Sequence, residues 1–302
     1  MPEKVKELLK SWSHHTYTMY MNCPQSVYFE RVLKIKRKED RSKEMDFGDE
    51  AHKKAQQFVG ITTTLLTPAP IGKHTLVVNE SEGIELGHEV VAPKGIIGTV
   101  AHVNGRYVDI NGKLKKALST GTSLRFRQAS KKVPEELEGI SKTLVKLRNA
   151  NASPELQLAF DKNWNMVDWF SSEAWVRAKL DAMNVTNSPP HIYVVDYKTG
   201  KVRPDHVQQR SLYALCVLQM VKLGKLCDGN PKTTLTVEHL YMATGQHGAE
   251  DFTMKDLEPL RKEWAKRTEQ MLTDTVYPAF EGFHCKWCKF AKSKGGPCTK
   301  NR

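Results

Sequence analysis

The chain has no long hydrophobic run: its apolar stretches, such as Ile192–Val195, fall far short of the ~20 residues needed to cross a bilayer. That excludes a helical membrane span. The N-terminus, Met1-Pro-Glu-Lys-Val-Lys, has no apolar segment after its charges, so it does not read as a secretory leader and the expected location is the cytoplasm. Internal repeats, collagen-like periodicity and disordered tracts are also lacking, which leaves the class of ordinary globular proteins. Acidic residues are in deficit, with 34 Asp+Glu against 46 Lys+Arg and a formal net charge of +12. Cysteine is sparse, and six cysteines in a reducing compartment point to metal ligands, core positions or free thiols rather than disulfides.

What is present begins with that basic excess. A surplus of this size concentrates polyanions and speeds their encounter, so nucleic acid leads the candidate partners over a merely soluble basic protein. Lys34 to Lys43 holds six basic and two acidic residues, and six further basic residues follow Glu281, the last acid. Lys34, Lys36, Arg37 and Lys38 are the candidate DNA contacts. At 302 residues the chain can hold one large domain or two small ones, and either would bury a substantial core.

Helix is expected over residues 3–33, broken near Asn22, with Pro24 in the first turn of the second piece. A second helix is expected at about 46–59, ended by Gly60. Residues 61–132 are rich in Thr, Val, Ile and Gly, with turn signals at Asn79, Asn104-Gly105 and Asn111-Gly112, and read as a β-rich insertion. Then come a helix (134–149), strands at Glu155–Phe160, Ala174–Met183 and His191–Lys198, a helix from Val202 to about Leu223, a strand at Thr233–Met242 and a helix at Leu257–Thr273. This order implies an α/β fold, with helices over a mixed sheet.

The sharpest chemical signal is Val194-Val195-Asp196-Tyr197-Lys198-Thr199-Gly200. Strand alternation puts Asp196 and Lys198 on one face at the sheet's end. A carboxylate there can hold a divalent cation, and an ammonium can orient a water or offset phosphate charge; a surface ion pair is the plain alternative. Asp181, on the preceding strand, adds a second carboxylate at the end of an adjacent strand, suited to Mg²⁺ or Mn²⁺. Arg177 and Lys179 share its face and are its alternative partners. Gln209 and Tyr213 stand four apart on the next helix, on a face shared with Cys216 and Met220.

Together, Asp181, then Asp196-x-Lys198, then Gln209-x3-Tyr213 resemble the RecB-like branch of the PD-(D/E)XK nucleases, which includes AddB, CRISPR-associated RecB-like nucleases and phage exonucleases. Gly48-x3-His52 resembles that branch's glycine–histidine helix. Cys23-Pro-Gln-Ser-Val-Tyr-Phe-Glu-Arg-Val-Leu and Cys285-x2-Cys288-x9-Cys298 resemble its cysteine motifs. Two departures stand out: Ala178 replaces the usual Gly, and the last cysteine gap is longer than the common one. Residues 61–132 are unmatched.

The resemblance implies a single nuclease domain over 1–302 with a restriction-endonuclease-like core. It implies Mg²⁺ or Mn²⁺ held by His52, Asp181, Asp196 and the Tyr197 carbonyl. Lys198 would act on the attacking water, and Gln209 and Tyr213 on the scissile phosphate. It further implies a [4Fe–4S] cluster on Cys23, Cys285, Cys288 and Cys298, with residues 284–302 packed on the N-terminal helices; four thiolates by themselves suit Zn²⁺ equally. The activity implied is DNA exonuclease action in recombination, replication or repair, with replication or recombination proteins as partners. The rival reading is a non-catalytic nucleic-acid-binding protein. Cys216 and Cys227 read as buried packing residues.

Overall fold

Three apolar clusters organise residues 9–37 and 42–300, the part of the chain that the computed structural model describes. Ser13 caps α1 (His14–Asn22) by accepting from the Thr16 N–H, satisfying one of the helix's orphan donors. Pro24 opens α2 (Pro24–Val27), which runs into a π turn at Tyr28–Val32. Of the helix expected from residue 3, residues 3–8 lie outside the described part, and among the described residues helix begins only at His14, since Trp12 bridges to Val176 as an extended residue. Ser42 caps α3 (Lys43–Val59), which stops at Gly60. There φ is +122°, and a Cβ would lie 2.7 Å from the Arg125 side chain, so only glycine lets the chain turn under that arginine.

The β-rich stretch contains β1 (Ile61–Thr64), β2 (Thr75–Val77), β3 (Glu89–Ala92), β4 (Gly95–Asn104), β5 (Tyr107–Ile110) and β6 (Ser123–Arg127). They form one sheet in the order β1-β6-β3-β4-β5-β2. A bridge between Leu65 and Val78, with Leu66 N–H donating to Val77 O at 2.8 Å, brings the two outer strands together and curls the sheet into a barrel. Its interior, including Leu76, Val90, Val108, Leu124 and Phe126, is a core separate from the other two.

After a 3₁₀ turn at Glu135–Ile140 come α4 (Ser141–Asn149), β7 (Ser153–Phe160), β8 (Val176–Asn187), β9 (Pro190–Lys198), α5 (Asp205–Lys222), β10 (Thr234–Tyr241), β11 (Gln246–Thr253) and α6 (Leu257–Thr273). The second sheet has the order β11-β10-β9-β8-β7. Only β9 and β10 are parallel, as the crossover through α5 requires. On one face, α1, α5 and α6 bury Trp12, Tyr17, Val194, Leu212 and Trp264. On the other, α3 and α4 bury Phe58, Leu144, Val195 and Leu240. Every residue of α5 from Ser211 to Val221 is buried, as expected of a helix apolar on nearly all sides.

The expected mixed sheet between helix layers is present. Strand β11 is absent from the sequence reading. Gln-His-Gly-Ala-Glu-Asp-Phe-Thr is polar and mostly exposed, an edge strand whose outer side has no apolar neighbour to select for. The final helix lies within the residues expected. None of the described helices is long and apolar enough to cross a membrane.

Candidate active site

In β9 the side chains of Val195 and Tyr197 enter the cluster under α3 and α4, which turns Asp196 and Lys198 toward α5. Asp196 is 4% exposed. Its Oδ1 accepts from the Tyr213 hydroxyl at 3.0 Å and from Gln209 Nε2 at 3.4 Å. Its Oδ2 lies 2.5 Å from Lys198 Nζ. Lys198 Nζ also donates to Gln209 Oε1 at 2.7 Å, and Gln209 Nε2 donates to the Tyr213 hydroxyl at the same distance. Thus Asp196, Lys198, Gln209 and Tyr213 form one closed network. Burial works to raise the Asp196 carboxyl, but the Lys198 ammonium, helped by the Tyr213 hydrogen bond, outweighs it and holds the group below the usual carboxylate range.

Asp181 is not at a strand end. It lies inside β8, which continues to Asn187, and the β8–β9 ladder begins only at Ala182–Val195. Asp181 and Asp196 are therefore next in register just outside the ladder. Asp181 Oδ2 accepts the Tyr197 N–H at 2.6 Å, satisfying a backbone donor that the parted strand would leave open. Neither basic neighbour pairs with it: Lys179 pairs with Glu155, and Arg177 donates to the Trp169 and Ser171 carbonyls. His52 Nδ1 stands 3.5 Å from Asp181 Oδ2. Burial disfavours charge on His52, yet the Asp181 carboxylate outweighs burial and raises its pKa. The glycine four residues earlier has a steric reason: a Cβ on Gly48 would lie 3.0 Å from Thr199 Oγ1, so α3 comes close to the turn after Lys198 there.

Two carboxylates, an imidazole and a backbone carbonyl are donors of the kind Mg²⁺ and Mn²⁺ accept. Asp196 Oδ2 is buried and ion-paired but makes no hydrogen bond, so it has ligating capacity to spare. As the side chains stand, no three His, Cys, Asp or Glu residues among those described form a group able to hold a metal ion. Asp196 is drawn to Lys198 and Tyr213, and His52 to Asp181.

One residue of the site escaped the sequence reading. His239, wholly buried, is the β10 partner of Asp196. Arg210 Nη1 lies 3.4 Å from its Nδ1. A guanidinium can only donate, so Nδ1 accepts and the proton sits on Nε2, 3.6 Å from Asp196 Oδ2. The signal was available: in Leu235-x-Val237-x-His239-x-Tyr241 the histidine takes an inward, apolar position, and a buried polar residue is informative. Burial lowers His239 to about 3 and His14 to about 4; His206 is lowered by burial too. His239 and His14 therefore stay neutral in the folded protein down to about pH 4, whereas in the unfolded chain they take up protons below pH ~6.5. Stability is therefore expected to fall as pH drops from 6.5 toward 4, offset in part by His52. A melting temperature unchanged between pH 7 and 5 would contradict this.

The cysteine segments also meet. Burial raises the Cys288 thiol, and the neighbouring Cys23, Cys298 and Cys285 raise it further. Phe290 packs on Phe29 with ring centroids 5.5 Å apart, Lys289 pairs with Glu30 at 2.8 Å, and Arg37 donates to the Gly295 and Lys294 carbonyls. Arg37 is thus occupied in holding the C-terminal segment. Lys34 and Lys36 line an open cleft of about 550 Å³ with Glu30 and Lys289. Lys38 lies outside the described residues. Cys216 and Cys227 are buried; Cys216 sits among the core residues of α5.

No curated protein matches the chain in sequence. Among solved structures, the crystal structure of SSO0001 is 14% identical over 50% of this chain, with a TM-score of 0.29. The chain spans 64% of the length of that protein. The sequence model of the PD-(D/E)XK nuclease superfamily matches residues 11–293, a span that includes His52, Asp181, Asp196 and Lys198. This chain belongs to the PD-(D/E)XK nuclease superfamily.

Proposed function

We propose that this chain is a Mg²⁺- or Mn²⁺-dependent deoxyribonuclease of the RecB-like branch, acting as an exonuclease in DNA recombination, replication or repair. The observation that carries the reading is the closed network of Asp196, Lys198, Gln209 and Tyr213 beside the His52–Asp181 pair. The exonuclease preference comes from the resemblance to stand-alone nucleases of similar size.

In this reading His52, Asp181, Asp196 and the Tyr197 carbonyl hold the metal, which supplies charge for the phosphorane and the leaving oxygen. Lys198 orients the attacking water and assists its deprotonation. Gln209, already hydrogen-bonded to Lys198, fixes where the ammonium sits, and Tyr213 steadies the carboxylate. Both are then within reach of a scissile phosphate. Cys23, Cys285, Cys288 and Cys298 hold a [4Fe–4S] cluster, with Zn²⁺ the alternative. The packing of Phe290 on Phe29 and the pairing of Lys289 with Glu30, which bring the two cysteine segments together, support a shared centre, although as the side chains stand no three of the described residues form a group able to hold a metal.

The test is digestion of end-labelled single- and double-stranded DNA with Mg²⁺, Mn²⁺ or EDTA. Metal-dependent release of mononucleotides or short products from an end supports the proposal. Binding without cleavage under every metal would favour the non-catalytic reading. Lys198→Ala is expected to lower turnover by about 100-fold or more, the scale of a lost transition-state contact. Near-normal turnover would mean that Lys198 only pairs with Asp196.

A further inference from the structure

We propose that the barrel formed by β1–β6 is a second nucleic-acid contact, in which a cleft walled by Lys94, Lys113, Lys115 and Lys116 holds the sugar–phosphate backbone away from the active site. The inference rests on the reading of the chain as a DNA nuclease.

The barrel is electrically two-sided. Toward the nuclease core its acids are matched: Glu85 pairs with Lys53 of α3 at 2.9 Å, and Glu89 lies 3.3 Å from Arg127 and 3.8 Å from Arg148 of α4. Arg148 also donates to the Phe58 and Gln128 carbonyls, and Arg125 to those of Asn151 and Ala152. These ties join the barrel to the core at both of its chain crossings. Elsewhere the balance reverses. Between Ala92 and Lys132, apart from the engaged Arg125 and Arg127, there are seven Lys or Arg residues and one acid, Asp109. That acid is engaged by Thr75 and lies 3.7 Å from His102.

The four lysines gather around one concavity. The β3–β4 turn and the segment after β5 enclose a cleft of about 430 Å³, within the size range of sites that hold small molecules and large enough for a nucleotide unit. Leu114 and Ala92 are buried at its floor, and Ile96, 58% exposed, stands at its rim. All four lysines are exposed, and none has an acidic partner among the described residues. Grouped ammonium groups without counter-ions fit a polyanion. The lining also says how it would bind. No aromatic side chain lines the cleft, so base stacking, which gives single-strand sites much of their affinity, is missing. Contact must run through phosphates and be insensitive to sequence. A β-rich insertion of this kind would hold substrate while its end is processed in the nuclease core.

The test uses the full chain in EDTA, with anisotropy of labelled 40-nucleotide single strands and 40-base-pair duplexes. The variant is K94E/K113E/K115E/K116E, compared with K142E/K232E/K255E/K262E, which makes the same net-charge change at exposed lysines elsewhere. The cleft variant is expected to bind at least tenfold more weakly. Its dependence of log Kd on log salt should be shallower by about 3, since each of four phosphate contacts adds ~0.7 to 0.9. The corresponding Lys→Gln variant, with smaller charge change, should show an intermediate loss; this separates the effect from misfolding. Wild-type affinity in the cleft variant, or an equal loss in the control, would overturn the proposal. Whether single strand or duplex shows the larger loss identifies the form held. Digestion of an 8-nucleotide substrate by the wild-type protein with Mg²⁺ tests the nuclease reading separately.

Discussion

Asp196→Ala is expected to lower DNA cleavage by at least about 1,000-fold at saturating Mg²⁺ while DNA affinity changes less than about threefold. The asymmetry follows from where each energy comes from. The carboxylate's proposed work is to hold the metal that stabilises the transition state, and such groups act mainly on the chemical step. Affinity comes from many phosphate contacts, each with a small share. The fold complicates the simple variant, because Asp196 is buried between Lys198, Tyr213 and His239. Removing the carboxylate leaves the Lys198 ammonium with Gln209 as its hydrogen-bond acceptor, and stranding part of a buried network destabilises. Asp196→Asn is the better probe. An amide oxygen can still accept from Tyr213, so the fold should persist while the negative charge is lost. Single-turnover cleavage, anisotropy and a melting curve on both variants separate the outcomes. Undiminished cleavage by either variant removes Asp196 from the active site.

Protein purified without oxygen is expected to be brown, to absorb near ~400 nm and to carry about four irons per chain. Cys288→Ser should abolish that absorbance and lower the stability of the whole nuclease domain rather than of the tail alone. The reason is topological. Cys23 ends α1, whereas Cys285, Cys288 and Cys298 lie beyond α6, so a shared centre would close a loop of most of the chain and add metal–thiolate bonds to the folding free energy. A loss of about 5 kcal/mol corresponds to a melting temperature lower by about 10 °C or more in a chain of this size. Cys216→Ala is the control, because that thiol is buried in the core on α5 and is not one of the four proposed ligands. Colourless protein with one tightly bound zinc would keep the clamp and change its metal. Full metal content and stability in Cys288→Ser would remove the clamp. The packing of Phe290 on Phe29 and of Lys289 on Glu30 would then be what holds the ends together.

Much of this protein is legible in local sequence, because the signals concerned are local in origin. Val194-Val195-Asp196-Tyr197-Lys198 declares a buried strand that ends in chemistry, since alternation alone places Asp196 and Lys198 on one side. Helix α6 falls within its expected residues because a Thr253–Asp256 capping box precedes it and its apolar residues recur at helical spacing. Gly60, Pro24 and the turn glycines of the barrel mark boundaries through backbone geometry that no other part of the chain need supply.

What the sequence could not decide depends on contacts between distant segments. Strand β11 has no apolar signature; it exists because β10 offers it an open edge and a full antiparallel register. The curling of six strands into a barrel depends on Leu65 meeting Val78, an event that neither strand announces. Asp181 looked like a strand end, yet it is the parting of two strands after Ala182–Val195 that exposes it to His52. His239 becomes part of the site only because parallel pairing sets it beside Asp196 and Arg210 sets its tautomer. The sequence by itself determined which candidate residues lie on which face of each element, because side-chain direction follows from backbone period. Tertiary structure alone decided which of those faces meet, because strand register and helix packing are settled by burial summed over the whole chain.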